Sequence, residues 1–210
     1  MDYKRLDFWS MKAQKEGYPA RSVYKLKEID EKFTLLPKNK GQIKPDFKVL
    51  DLGAAPGSWS LYVLRKLSGQ GFLAACDISP LSRRVDAGLF DGQNFLFRQA
   101  DIFTADTQTE LAGLGPFNVI LSDAAPSTSG GRGLDAVRSA EIAHAALSYA
   151  AAALRKGGSL CVKIFQGEDS AALIKETRPK FNLLKTFKPE ACRLSSFETY
   201  IIGTGFKRQS

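Results

Sequence analysis

Apolar stretches of strand length alternate with helical patterns along most of this 210-residue chain, and that alternation admits few folds. "FKVLDLG", "GFLAACDI", "NFLFRQADI", "FNVILSDAAP" and "SLCVKIFQG" read as five strands. Between them, "SWSLYVLRKL" and "AVRSAEIAHAALSYAAAALRKGG" read as helices, the second stopped by its Gly-Gly pair. Ahead of the first strand, "ARSVYKLKEIDEKF" carries Val23, Leu26, Ile29 and Phe33 at helical spacing. "LLPKNKGQIKPD" is a loop, "STSGGRGLD" a flexible Gly/Ser loop, and "DSAALIKETRPKF" a further helix. Strands separated by helices predict a mostly parallel, doubly wound α/β sheet. "NLLKTFKP" and "ETYIIGTGF" have no helix-length segment between them, so they are expected to pair antiparallel. In such a sheet, ligands bind at the carboxyl ends of the parallel strands. The length suits one domain over 1–210, without repeats or an interdomain linker.

The first strand runs straight into a turn, "KVLDLGAAPGSWS", at 48–60. Gly53 and Gly57 permit positive φ and a close approach to the backbone. Asp77 ends the second strand, 24 residues after Gly53. That spacing suits a carboxylate that holds the ribose hydroxyls of a nucleoside cofactor. Ala55 and Pro56 interrupt the glycine pattern a dinucleotide would want. Asp51 and Asp77 are poor company for a pyrophosphate and good company for a cation. An adenosine-like cofactor with a positively charged reactive end is expected, and S-adenosylmethionine fits. Asp101, after the third strand, stands where it could meet an adenine amino group, although an Asp there is also a common helix cap.

Four charged residues sit where a chain does not place charge for solubility. Lys163 lies inside "SLCVKIF", a strand expected to be covered on both faces, and near its carboxyl end. Asp123 follows "NVILS" on the neighbouring strand, and Glu198 opens "ETYIIGTG". Topology alone brings these three to one sheet edge. Lys25 lies among Val23, Leu26 and Ile29 and joins them only if its helix packs there. The set suits deprotonation of a weakly acidic hydroxyl. A lysine serves as the base once desolvation or a second lysine favours loss of its proton, with Asp and Glu orienting the ammonium groups. His144 is assigned to packing in the Ala-rich helix, and no metal-ligand cluster is visible.

The formal net charge is +8, concentrated at the ends. Residues 1–27 hold seven Lys or Arg against three Asp or Glu, and residues 175–210 hold eight against three. Tyr3, Phe8, Trp9, Tyr18 and Tyr24 interleave with the N-terminal bases, a combination that suits phosphate neutralisation with base stacking. Cys76, Cys161 and Cys192 have no metal-ligand spacing and read as core thiols of a reducing compartment. With no apolar signal-peptide core and no bilayer-length apolar run, a cytoplasmic location without membrane attachment is expected.

"ARSVYKLKEID", "VLDLGAAPGSWS", "ACDISP", "SDAAPSTSG", "VKIFQG" and "ETYIIGTG" resemble, in order and spacing, the motifs of the FtsJ-like RNA ribose 2′-O-methyltransferases. The resemblance covers about residues 19–205. It implies a Rossmann-like class I methyltransferase fold: a seven-stranded, mostly parallel sheet, an antiparallel last strand, and helices on both faces. It implies a single S-adenosylmethionine-dependent domain with a basic N-terminal segment, about 1–33. Carried over by position, Lys25, Asp123, Lys163 and Glu198 fall on the catalytic tetrad, with Lys163 as the base. Gly53, Gly57, Trp59, Asp77, Asp101 and Asp123 fall on cofactor positions. Within the family the chain is most similar to the branch that methylates a uridine in large-subunit (23S) ribosomal RNA, so ribosomal RNA or the large subunit is the implied partner and a monomer the implied state. Transfer-RNA ribose methylation, a non-catalytic RNA-binding assembly role and a small-molecule methyltransferase are the alternatives. Two positions depart from the family pattern: Gly57-Ser58 stands where Gly-Gly is frequent, and Phe197 where an arginine often precedes the glutamate.

Overall fold

The structure, a computed structural model, describes residues 8–126, 132–193 and 196–208. Seven strands form one sheet: β1 (Lys48–Leu52), β2 (Phe72–Asp77), β3 (Phe95–Gln99), β4 (Phe117–Ser122), β5 (Leu154–Phe165), β6 (Phe181–Phe187) and β7 (Glu198–Phe206). Their order is β3-β2-β1-β4-β5-β7-β6. β1 to β5 pair in parallel, and β7 is antiparallel to both of its neighbours. The sheet implied by the family resemblance is therefore the sheet observed. From β1 the chain winds outward to β3, then returns to lay β4 on the other side of β1. That reversal is a switch point, where a cleft opens at the strands' carboxyl ends. The glycine turn follows β1 and Asp123 follows β4, so both reach it.

The helices are α1 (Phe8–Lys15), α2 (Val23–Phe33), α3 (Ser58–Leu67), α4 (Ala105–Gly113), α5 (Arg132–Ala153) and α6 (Glu168–Thr177). Alternation along the strands sorts the core into two layers. Val49, Leu73, Val119, Leu121, Cys161 and Tyr200 join Leu26 and Ile29 of α2 and Trp59 and Leu61 of α3. Leu50, Ala74, Ile120, Leu160, Val162 and Ile164 join Ala143, Ala146 and Ala150 of α5 and Leu173 of α6. Each fully buried Leu, Ile or Val contributes about 1.5–3 kcal/mol over leaving it exposed, so two-sided cover is what these near-continuous apolar strands require. Lys163 lies between Val162 and Ile164, which both face α5. Alternation therefore turns Lys163 toward α2 and α3.

Some expectations are corrected. α1 and α4 were not anticipated, because they bury little: Ala13 in α1, Thr107 and Leu111 in α4. "LRKGG" is strand rather than helix end. α5 stops at Ala153 because Leu154 is buried opposite Phe117; Gly157 then takes φ +81° and the ladder resumes at Ser159 opposite Val119. Of the expected Gly/Ser loop, Arg132–Asp135 is already helical, and 127–131 lie outside the described residues. His144 is exposed, 3.9 Å from Glu176, and not packed.

The N-terminal aromatics also differ from expectation. Trp9 packs on Tyr24 at 5.0 Å between ring centroids, with Lys12 over both rings. Lys27 and Arg65 lie over Tyr18. Tyr18 and Tyr24 are buried in this cation–aromatic layer, so neither offers a face to a nucleic-acid base. Phe8 is exposed, and Tyr3 lies outside the described residues. The three cysteines are free and buried. Among the described residues, no helix is long and apolar enough to cross a membrane.

Candidate active site

The turn after β1 is shaped from both sides. Gly53 has φ +75°, and a Cβ on it would lie 2.4 Å from the Ala124 Cβ. Its missing side chain thus lets the turn close against the segment that carries Asp123. Gly57 has φ +107° and caps α3, and a Cβ there would meet the Phe90 ring at 2.7 Å. Both glycines are needed for contacts within the protein itself. The Gly53 and Ala54 N–H groups donate to the Cys76 carbonyl, at 2.8 and 3.1 Å, tying the turn to the end of β2. Asp77 completes the tie. Its Oδ2 accepts from Ala55 N at 2.9 Å and its Oδ1 from Ser79 N at 2.8 Å. Asp101 is exposed after β3, its Oδ1 accepting from Phe103 N at 2.9 Å.

Trp59 is 2% exposed, and its Nε1 donates to the Ser22 carbonyl at 2.9 Å. Its side chain belongs to the core and pins α2 to α3. Ser58, the departure from Gly-Gly, works beside it: its Oγ accepts from Ala20 N at 2.8 Å and donates to Ala20 O at 3.1 Å. Arg21 Nη2 donates to Ala191 O at 2.7 Å, and the Glu28 carboxylate accepts from the Glu190 and Ala191 N–H groups. These bonds fasten α2 between the glycine turn and the β6–β7 connection, which brings Lys25 to the carboxyl edge.

There the four charged residues meet. Ser122 pairs in register with Val162, so the next residues, Asp123 and Lys163, stand side by side. Lys163, 6% exposed, donates from Nζ to Asp123 Oδ1 at 2.9 Å and to the Asp123 carbonyl oxygen. Lys25 Nζ donates to Glu198 Oε2 at 2.7 Å, with side chains 11% and 10% exposed. Burial alone would push the Asp123 carboxyl up, but the Lys163 and Lys25 ammonium groups and the Tyr200 hydroxyl hold it below its ordinary value. Burial works against the Lys25 ammonium too, and Asp123 and Glu198 outweigh it, so the Lys25 pKa rises. Two ammonium groups and two carboxylates thus balance in a nearly water-free setting, which separated buried charges could not tolerate.

Sequence reasoning missed Tyr200 and left Asp51 unassigned. Tyr200 is fully buried and donates to Asp123 Oδ1 at 2.6 Å. It lies two residues after Glu198 and opposite Lys163 in the β5–β7 ladder, so strand period was a usable signal. Asp51 is wholly buried on β1. Its Oδ2 accepts from Ser60 Oγ at 2.6 Å, and its Oδ1 has no hydrogen-bond partner. Burial drives its pKa up to about 7 against the Ser60 bond, and the nearby Asp123 and Asp77 carboxylates add to the rise. Ile78 and Phe103 are exposed apolar side chains just after Asp77 and close after Asp101. They are marked only by apolar residues standing where loops begin.

The FtsJ-like methyltransferase family model matches residues 18–206. Ribosomal RNA large subunit methyltransferase E of Treponema denticola is 46% identical over 98% of this chain and 97% of that protein. The protein of that name from Oleidesulfovibrio alaskensis is 43% identical over 97% and 93%. Among solved structures, a Plasmodium falciparum protein described as a ribosomal RNA methyltransferase superposes with TM-score 0.74 at 25% identity, covering 91% of this chain and 100% of that one. A switch-point cleft with a Lys-Asp-Lys-Glu set, and likeness over nearly the full length, lead to one assignment: the chain belongs to the FtsJ-like methyltransferase family.

Proposed function

We propose that this protein transfers a methyl group from S-adenosylmethionine to a ribose 2′-hydroxyl of large-subunit ribosomal RNA, at a uridine. The observation that carries the reading is the Lys163–Asp123 pair, joined by Lys25–Glu198, at the strand ends beside the glycine turn. The chain's own residues fit the cofactor: a buried, unpartnered carboxylate oxygen on Asp51 suits a cationic ligand. When bound, S-adenosylmethionine supplies a sulfonium methyl group to an attacking oxygen. The Asp77 oxygens each accept one backbone N–H and keep lone pairs for ribose hydroxyls. Asp101 keeps Oδ2 for the adenine amino group, and Ile78 and Phe103 offer apolar surface to the ring. Gly53 and Gly57 shape the turn, and Asp123 bounds the pocket on the β4 side. Trp59 supports this wall from the core.

Lys163 takes the 2′-hydroxyl proton once its own ammonium group has given a proton to solvent. As an amine it points two N–H groups at Asp123, one to Oδ1 and one to the carbonyl, which leaves its lone pair directed elsewhere for the hydroxyl. Tyr200 fixes the Asp123 carboxylate and thereby the amine. Lys25 and Glu198 set the local field and position the ribose. Similarity to the relatives named methyltransferase E supports the RNA class. The test is incubation with labelled cofactor and large ribosomal subunits from a strain lacking the protein, followed by mapping of the methylated nucleotide. One labelled uridine 2′-oxygen is expected. Label in transfer RNA alone, or on a base, would overturn the assignment.

A further inference from the structure

The sheet has a second edge, opposite the tetrad, where the parallel strands begin. Arg155 and Lys156 stand at the start of β5, Lys207 and Arg208 follow β7, and Arg178 and Lys180 precede β6. β5, β7 and β6 are consecutive in the sheet, and β7 is antiparallel to both neighbours, so its end lies beside their beginnings. The Lys207 N–H donates to the Lys180 carbonyl at 2.8 Å, which ties two of these segments together. Arg155 Nη2 reaches Asp46 Oδ2, just before β1, at 3.1 Å and so extends the row across to β1. At about 4.8 Å per strand, the four steps from β1 to β6 span roughly 19 Å.

Charge at this edge is one-sided. Lys180 pairs with Glu176 at 2.8 Å and Arg155 with Asp46, but both are surface pairs that a phosphate can replace at small cost. Lys156, Arg178, Lys207 and Arg208 are exposed and form no ion pair among the described residues. The aromatic residues at these strand ends do not face solvent: Phe181 and Phe206 are buried, their ring centroids 5.3 Å apart. The edge thus offers cations to phosphates and no ring to an unpaired base. That favours a duplex, met through its backbone, over a single strand. The chemistry is far away. Tyr200 lies opposite Lys163, and six residues of β7 separate it from Phe206, roughly 20 Å. Nucleotides held at this edge are therefore neither the target nor its immediate neighbours.

We infer, on the basis of the RNA reading above, that the amino edge of the sheet is a second RNA-binding surface, which holds the phosphates of a double-helical segment apart from the segment that enters the active site. The protein then grips a folded RNA at two opposite edges. A substrate with several helices is held at both, and a short single strand only at the carboxyl edge.

The experiment is equilibrium binding of the full chain to a blunt-ended RNA duplex and to a single-stranded oligouridylate, across salt concentrations. Lys156→Gln, Lys207→Gln and Arg208→Gln are combined in one variant. Each phosphate contact on a duplex contributes about 0.9 to the slope of log affinity against log salt, so the duplex slope should fall by about two to three. Oligouridylate binding should keep its slope. A charge-preserving variant, Lys156→Arg with Lys207→Arg, should match wild type on both probes. An unchanged duplex slope in the glutamine variant would overturn the surface. An equal loss on oligouridylate would overturn its assignment to a double helix. Tighter binding of polyglutamate than of the duplex, lost in the glutamine variant, would transfer the surface to an acidic protein and overturn the RNA assignment. Methyl transfer is not the readout. Failure to methylate large subunits would therefore count against the proposed function alone, and failure of this binding pattern against the second surface alone.

Discussion

Asp51 on β1, Asp77 at the end of β2 and Asp101 after β3 live in electrostatic conditions opposite to those of the tetrad carboxylates. Asp123 and Glu198 each face an ammonium group, at 2.9 and 2.7 Å. Asp51, Asp77 and Asp101 form no ion pair among the described residues; hydroxyl and backbone N–H groups are their donors. The pKa directions follow: Asp123 is held low by Lys163 and Lys25 against its burial, and Asp51 is driven up by burial to about 7. A region that carries its own counter-charges is preorganised for chemistry whatever is bound. A region with surplus negative charge is completed by a cationic ligand. On the function proposed above, reaction belongs to one side of the switch point and cofactor capture to the other.

The sharpest way to break this division is at Lys163. Lys163→Ala and Lys163→Arg are both expected to lower single-turnover methyl transfer by at least about a thousandfold, within the range for a positioned general base, and to leave cofactor affinity near wild type. An arginine keeps the charge beside Asp123 but cannot surrender its proton near neutral pH. A near wild-type rate in Lys163→Arg would reduce this residue to a positioning charge.

The second largest effect concerns the other pair, and it is one of stability. Lys25→Met leaves Glu198 nearly buried with no cation, and breaking a buried ion pair costs about 3–5 kcal/mol. Glu198→Leu takes the bonded partner from Lys25 and leaves it only the Asp123 carboxylate nearby, so a smaller loss is expected there. The double variant removes both charges and should recover most of the loss, as read by denaturant midpoints. Additive losses would mean that the two side chains do not act as a pair. The rate should fall less in these variants than in those of Lys163.

Where sequence and structure agree, a local rule was sufficient. "SWSLYVLRKL" is α3, Ser58–Leu67, residue for residue, because a glycine opens it and its apolar stripe closes the core. Lys163 was conspicuous because a lysine inside an apolar strand has few explanations other than function. Lys25 was not legible in that way. What brings it to the edge is a set of tertiary bonds from Arg21, Ser22, Glu28 and Ser58, and none has a local signature. Trp59 looked like a ligand contact from its place in the motif, and only three-dimensional packing shows its indole in the core. Tyr18 and Tyr24 of the N-terminal segment differ from expectation for the same reason. Their interleaving with lysines is consistent with stacking on RNA bases, yet it is realised as stacking on the protein's own cations. Asp51 is the converse case: its residue type and place were visible, but its orphaned oxygen is a property of the packed core.

On the cofactor side, Asp77→Ala should weaken S-adenosylmethionine binding by at least tenfold in calorimetric titration, since a hydrogen bond to a charged group contributes roughly 1.5–3 kcal/mol. The bonds to Ala55 and Ser79 add a second consequence, a loosened turn. Asp77→Asn keeps a carbonyl oxygen for Ala55 N and should fall between alanine and wild type. Unchanged affinity in Asp77→Ala would remove the ribose role.

The smallest effect is set by the titration of Asp51. In the empty protein its pKa is about 7, so near neutral pH a fraction of molecules holds the carboxyl in its uncharged form. Only the carboxylate attracts a cationic ligand. Cofactor affinity should therefore rise as pH passes through about 7, by about tenfold between pH 6 and pH 8 for one titrating group, and level off above. Stability of the empty protein should move the other way. Because the folded-state pKa lies above the ordinary 3.8, the folded state binds the proton more tightly than the unfolded chain. That contribution is present below about pH 4, is lost as pH rises toward about 7, and is constant beyond. Asp51→Asn keeps the shape, removes the titration and should flatten both curves, lowering cofactor affinity most at high pH. Calorimetric titrations at pH 6, 7 and 8 on wild type and Asp51→Asn decide the matter: a wild-type affinity that does not change with pH would show that the unpartnered oxygen of Asp51 is not what the cationic ligand meets.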